Sequence, residues 1–166
     1  MADLLTHVSS ALLVKSVSQK PHAVLLATGV VLPDLGSRLP GILFDLLGGQ
    51  GDLPMVELLL GSEIFHTPIG ILGAAMLIAI CFVESQRVVV FWNILAGGGL
   101  HLLLDVMQRH LAGGYQLWVP LSYEGVELGW VSSEATVWLA PFVLPFSVWA
   151  WWRRRPTTGS SAAGRG

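Results

Sequence analysis

Gly97-Gly98-Gly99-Leu100-His101-Leu102-Leu103-Leu104-Asp105 is an apolar run of the kind that forms a buried or membrane helix, yet it holds an imidazole and a carboxylate four residues apart. On a helix this spacing puts both on one face, one turn apart. Ionisable groups in such a setting are costly, so they are usually paired, metal-bound or chemically active. The question for the rest of the chain is which residues meet them.

Composition sets the frame. The chain has 166 residues, 53% of them hydrophobic and 12% charged, against roughly 25% charged in an ordinary soluble domain. This points to a membrane. Residues 1–152 read as a single integral membrane domain and 153–166 as a basic, then disordered, cytoplasmic tail. A net charge of -2 gives no argument for nucleic-acid binding. The single cysteine, Cys81, lies in an apolar run and reads as a small buried hydrophobe rather than a nucleophile. Met1-Ala2-Asp3 carries no basic n-region, so no cleaved signal peptide is expected.

Outward from the opening stretch, Val88 to Met107 reads as a span, and Ile64 to Val83 as another of about membrane length. Glu84-Ser85-Gln86-Arg87 is a tight polar turn between them. Leu4 to Ser18 reads as a helix with His7 near its start. Pro21 to Leu32 is a second apolar helix, with Pro33 expected to end it and Asp34 presented just after. Both are short for a full crossing of about 30 Å. Leu35 to Ser62 reads as a surface loop with two short apolar pieces, and its Gly48-Gly49-Gln50-Gly51 lacks the pattern of a phosphate loop. Leu111 to Trp130 spaces Tyr115, Trp118, Tyr123 and Trp130 among Pro, Gly and Ser, as in an interfacial hairpin or cap. Val131 to Trp152 is the last span. The predicted fold is therefore all-α: a polytopic membrane helix bundle of about four to five helices with an aromatic-rich cap.

Basic residues accumulate on the cytoplasmic side of membranes. Arg153-Arg154-Arg155 then places the C-terminus inside, and the Glu84–Arg87 turn and the Lys15–Lys20 link fall on the same side. This topology sets His7, Asp34, His66, His101 and Asp105, from four helices, at the outer ends of their spans. Small residues let membrane helices approach closely. His66, Gly70 and Gly73 share one face, as do Gly97, His101, Asp105 and Gln108, and an antiparallel pairing of Gly70 with Gly97 is expected to bring His66 to His101 and Asp105. Ala23, Ala27 and Val30 form a similar stripe leading to Asp34.

Imidazole and carboxylate are ligands for zinc, and also for manganese or iron. An open site of this kind turns water into a nucleophile near neutral pH, which suits hydrolysis of a lipid-like or phosphate-bearing substrate at the outer interface. Glu134, or Asp34 if it is not a ligand, is the candidate general base. Plainer readings compete: a His101–Asp105 hydrogen bond in the core, or an Asp105–Arg109 pair at i,i+4. Arg38 and Arg109 suit either anion clamping or headgroup anchoring. His22 and His110 lack the placement of the other three histidines. A proton carrier needs ionisable residues continuing inward, and the inner halves of the spans offer only Asn93. A non-catalytic membrane protein with a structural or metal-binding cluster, acting as a partner or regulatory subunit, is the main alternative to an enzyme.

Thr6-His7, Gly29-Val30-Val31-Leu32-Pro33-Asp34, Phe65-His66-Thr67-Pro68, His101-Leu102-Leu103-Leu104-Asp105 and Leu117-Trp118-Val119-Pro120-Leu121-Ser122 occur in that order. This set resembles the membrane-bound metal-dependent hydrolase family, also described as LexA-binding, inner-membrane-associated hydrolases, over about residues 3 to 135. The resemblance implies a prokaryotic inner-membrane protein of about four helices with a site formed by His7, Asp34, His66, His101 and Asp105. Two departures stand out. The family often has a second acidic residue where this chain reads Leu35-Gly36-Ser37, and an extra His-Arg-Gly where it reads Gly61-Ser62-Glu63.

Overall fold

The computed structural model describes residues 4–18, 22–46, 64–109, 114–119 and 121–153, with the side chains of 4–5, 40 and 133–140 excepted. The expected surface loop from 47 onward, Glu63, His110 and the expected tail lie outside the described residues. The described chain is mostly helical: α1 (Leu4–Ser18), α2 (Ala23–Leu46), a 3-10 turn (Ile64–His66), α3 (Pro68–Ile80), α4 (Glu84–Met107) and α5 (Ser133–Arg153). Two-residue strands β1 (Gln108–Arg109) and β2 (Val131–Ser132) pair in parallel.

Helix α1 has the expected bounds, and α2 does not. The helix expected to stop before Pro33 runs on through Pro33 and Pro40 to Leu46, so Asp34 sits inside a helix and not in a loop after one. A proline biases its predecessor away from helix only locally. Here the residues just past the proline dock on the 3-10 turn, Asp34 lying 3.7 Å from His66 and Gly36 against the Phe65 ring, and that docking outweighs the missing helical bonds. At 24 residues, α2 is about 36 Å long, not short. Helix α3 errs the other way. Only 13 residues are α-helical, because Thr67 caps the helix: its Oγ accepts from Gly70 N at 3.0 Å and donates to the Ile64 carbonyl at 2.7 Å. The turn expected at Glu84–Arg87 lies one step earlier, at 81–83, and Glu84–Arg87 is the first turn of α4. Cys81 closes α3 in that turn and is exposed, not buried, because the chain has already left the helix packing. Of the described helices, Glu84–Met107 is long and apolar enough to cross a membrane by length and composition, while Pro68–Ile80 is apolar but shorter.

Packing fixes the directions. The His22 N–H donates to Asn93 Oδ1 at 2.7 Å, and Val30 O meets His101 Nδ1 at 2.7 Å, both 71 residues apart in sequence. Helices α2 and α4 therefore run parallel in register. Their backbones touch: a Cβ on Gly97 would lie 2.3 Å from Leu26 O, and one on Gly29 would lie 2.3 Å from Ile94 O. Gly97 thus sets the α2–α4 distance, not the expected distance to Gly70. Gly70 instead accommodates its own capping turn at Ile64 O, and it is Gly98 that receives Ile71 of α3. Ala75 and Ala79 cluster with Val90 and Ile94 further along, so α3 is antiparallel to α4. Ala11 of α1 packs on Leu26 and Val30, and α1 also lies against α5.

Many large apolar side chains face outward, while the interior mixes apolar with polar residues. Helix α3 buries Ile71, Ala75 and Ala79 and turns Ile69, Leu72, Met76, Leu77 and Ile80 outward. The interior holds His7, Ser9, Asp34, His66, Thr67, His101, Asp105 and Gln108.

Candidate metal centre

The residues that meet Asp105 come from four separate pieces of chain. His7 projects from the first turns of α1, Asp34 from α2, His66 from the 3-10 turn ahead of α3, and His101 from α4 itself. All five are buried, His101 to 0% exposure and Asp105 to 1%. The Asp105 carboxylate lies 3.4 Å from His7 Nε2, 3.0 Å from His101 Nε2 and 3.8 Å from His66 Nε2, and Asp34 Oδ1 lies 3.7 Å from His66 Nε2. The His7 and His101 rings stack with centroids 4.1 Å apart. The five residues picked from the sequence are thus brought together. The Asp105–Arg109 pair is not formed among the described residues; Asp105 faces the histidines instead.

Proton positions argue that this is more than a hydrogen-bonded core. The Val30 carbonyl can only accept, so His101 Nδ1 carries the hydrogen and donates to it. A neutral ring then presents a lone pair at Nε2, 3.0 Å from a carboxylate oxygen. Two acceptors face each other, which calls for a cation or a proton between them. His7 Nδ1 and Nε2, His101 Nε2 and Asp105 Oδ2 are buried with no hydrogen-bond partner among the described residues, an expensive state unless something binds there. The Nδ1–H to carbonyl bond is also the usual way in which a protein fixes a metal-binding imidazole.

The distances are those of donor atoms that share an ion. Metal–ligand bonds of about 2.1 Å put donor atoms about 3.4 Å apart in a tetrahedron and about 3.0 Å apart at adjacent octahedral positions. The contacts from 3.0 to 3.8 Å bracket those values. Two overlapping triads, His7–His101–Asp105 and Asp34–His66–His101, keep their donor atoms within 4.8 Å of one another. The buried His/Asp group can hold a metal ion.

Local sequence explains the placement. Gly36 leaves room on α2 for the Phe65 ring, which lies where its Cβ would be, and so lets the His66 turn dock beside Asp34. The last carbonyls of α4 have no helical partners. They are taken up by the returning chain, with Leu128 N–H donating to Val106 O at 2.7 Å and Trp130 N–H to Met107 O at 2.9 Å. Gly114, at φ +92°, lets the chain bridge Tyr115 to Val126. Of the cap expected over 111–130, the described residues show this bridge, and Tyr115 turns toward the site. Its ring stacks on His66 at 5.2 Å. Burial, and then the neighbouring Asp105 carboxylate to which it hydrogen-bonds, push the phenol's pKa up, so the hydroxyl stays protonated and serves as a donor. No spacing in the sequence marks Tyr115, since only the returning strand carries it to the site.

Other candidates fall elsewhere. Glu134 lies in the first turn of α5, and its side chain is outside the described ones. His22 is exposed, its backbone tied to Asn93. Arg38 and Arg109 are exposed, Arg38 one turn beyond Asp34. Together Val31, Asp34, Leu35, Arg38 and Ile42 line a cleft of about 120 Å³.

Comparison with known proteins gives no match: no family model, curated protein or solved structure matches this chain, and the chemistry is argued from the site itself.

Proposed function

We propose that this chain is a multi-pass membrane protein and a metal-dependent hydrolase acting on a lipid-like or phosphate-bearing substrate. The observation that carries the reading is the 3.0 Å contact of His101 Nε2 with the Asp105 carboxylate, with His7, His66 and Asp34 beside it. Zinc is the first candidate ion, with manganese or iron as alternatives. His7, His66, His101, Asp105 and Asp34 would hold it, and when bound it supplies Lewis acidity and acidifies water. Val30 O fixes the His101 tautomer. Tyr115 holds the Asp105 carboxylate. Glu134 would take a proton from incoming water, or Asp34, the one donor residue that also lines the cleft, where it does not itself ligate the ion.

Membrane insertion across several helices is supported by the outward-facing apolar residues and the polar interior. Parallel α2 and α4, each antiparallel to a neighbour, match alternating passes. The exposed Trp118, Tyr123 and Trp130 of the cap suit a membrane interface. Arg153, stacked on Trp149 at 4.5 Å, suits the opposite, cytoplasmic one. The resemblance to the inner-membrane-associated hydrolases agrees with this topology. Metal content of protein purified with metal supplementation is the decisive measurement. About one ion per chain is expected in the wild type and none in His101→Ala or Asp105→Ala. Wild type without stoichiometric metal would overturn the reading.

A second reading, a metal-binding membrane protein without turnover, is favoured by one fact: His7, His101 and Asp105 are almost fully buried. It predicts a bound ion that does not exchange with chelator and no hydrolysis of phosphate esters.

A further inference from the structure

The cleft beside Asp34 has a mixed character that neither packing nor metal binding requires. Its lining residues, Val31, Asp34, Leu35, Arg38 and Ile42, fall on one face of α2. One is a member of the His/Asp cluster, one turn on is a guanidinium, and the other three are aliphatic. Carrying the register of α2 and α4 forward sets Asp34 level with Asp105 and the end of α4 level with Gly36. Helix α2 therefore continues about 15 Å past the end of α4. From Leu35 into that extension, Leu35, Leu39, Ile42 and Leu43 turn outward, each exposed by between 42% and 49%. A volume of about 120 Å³ leaves room for a small polar headgroup.

Resting on the metal-hydrolase reading, we propose that the substrate is an amphiphilic phosphate ester, with its anionic headgroup held by Arg38 beside Asp34 and its chain lying along the Leu35–Leu39–Ile42–Leu43 stripe of α2. A guanidinium binds phosphate through paired N–H donors, and it is the one cation among the described lining residues. The stripe leads away from that headgroup position along the same helix. A free phosphate would use Arg38 alone, whereas an ester with an alkyl chain uses both features.

The test is calorimetric titration of the full chain in a neutral maltoside detergent with monododecyl phosphate and, separately, with inorganic phosphate. Dodecyl phosphate is expected to bind at least about tenfold tighter than inorganic phosphate. Arg38→Gln is expected to weaken both ligands by about tenfold, with Arg38→Lys recovering part of the loss. Ile42→Asn is expected to weaken dodecyl phosphate by about fivefold and leave inorganic phosphate within about twofold. Both side chains are exposed, and a thermal melt of each variant checks that the fold is kept. Arg38→Gln within about twofold of wild type for both ligands overturns the proposal. Equal affinity for the two phosphates, with Ile42→Asn silent, overturns the amphiphile and leaves a free-phosphate site. Metal content measured on the same samples separates the two readings. Protein lacking metal defeats the hydrolase, whereas metal-replete protein insensitive to Arg38→Gln defeats the headgroup site alone.

Discussion

Helices α3 and α4 touch twice, and the two contacts are made of opposite materials. Toward the Cys81 turn, Ala75 and Ala79 pack on Val90 and Ile94 with Phe91 and Leu95 around them, and none of these side chains ionises. Toward the other end, His66 faces His101 and Asp105 across a distance that Ile71 and Gly98 help to set. The first contact is close packing of small against branched side chains, which is what holds helices together in an apolar medium. The second places groups side by side that repel or strand one another unless a cation joins them. One pair of helices thus carries a holding end and a working end, and substitutions should separate them.

The largest effect is expected at the working end. Asp105→Ala removes the carboxylate shared by three histidines and should lower metal affinity by more than ~100-fold, read as metal content after dialysis. Gly97→Ala comes next. Its Cβ would sit 2.3 Å from Leu26 O and 2.8 Å from Val30 N. Backbone cannot yield as a side chain can, so about 3 kcal/mol or more of stability should be lost in thermal unfolding in detergent. Because Val30 also orients His101, metal should be lost with it. Ile94→Ala at the holding end should cost about 2–5 kcal/mol through lost packing and leave metal content at the wild-type level. Metal loss in that variant would show the two ends to be one unit. Tyr115→Phe keeps the ring stack on His66 but removes the donor to Asp105, and should weaken metal binding by about tenfold at unchanged melting temperature. The smallest effect is expected for Gly99→Ala, whose Cβ meets nothing within 4 Å. It should change stability by no more than about 1 kcal/mol, toward stabilisation.

The ionisable residues of the site were legible because their setting makes them conspicuous. An imidazole or a carboxylate in a run such as Leu100–Asp105 has no cheap alternative to a partner, and placing helix ends by charge put all five at one level. The cap was legible as an aromatic-rich hairpin. The partners were less so. Gly97 could be seen as a close-approach position, but a glycine on a helix does not say which neighbour it admits, and α2 took the place expected for α3. The continuation of α2 was hidden by Pro33, whose local preference is real but smaller than the gain from docking Asp34 and Gly36 on the turn that carries Phe65 and His66.

The chemistry available was legible in the chain alone: an apolar sequence with few charges, with His101 and Asp105 spaced to share one helix face and His7, Asp34 and His66 set elsewhere in it. Those features follow from side-chain type and from the period of a helix, which are local. Only the tertiary structure decided that Val30 O would fix the protonated nitrogen of His101, that Tyr115 would return to Asp105, and that α2 would run past the site to make a cleft at Arg38. Each of these depends on contacts between residues far apart in the chain, where packing of whole helices outweighs any local preference.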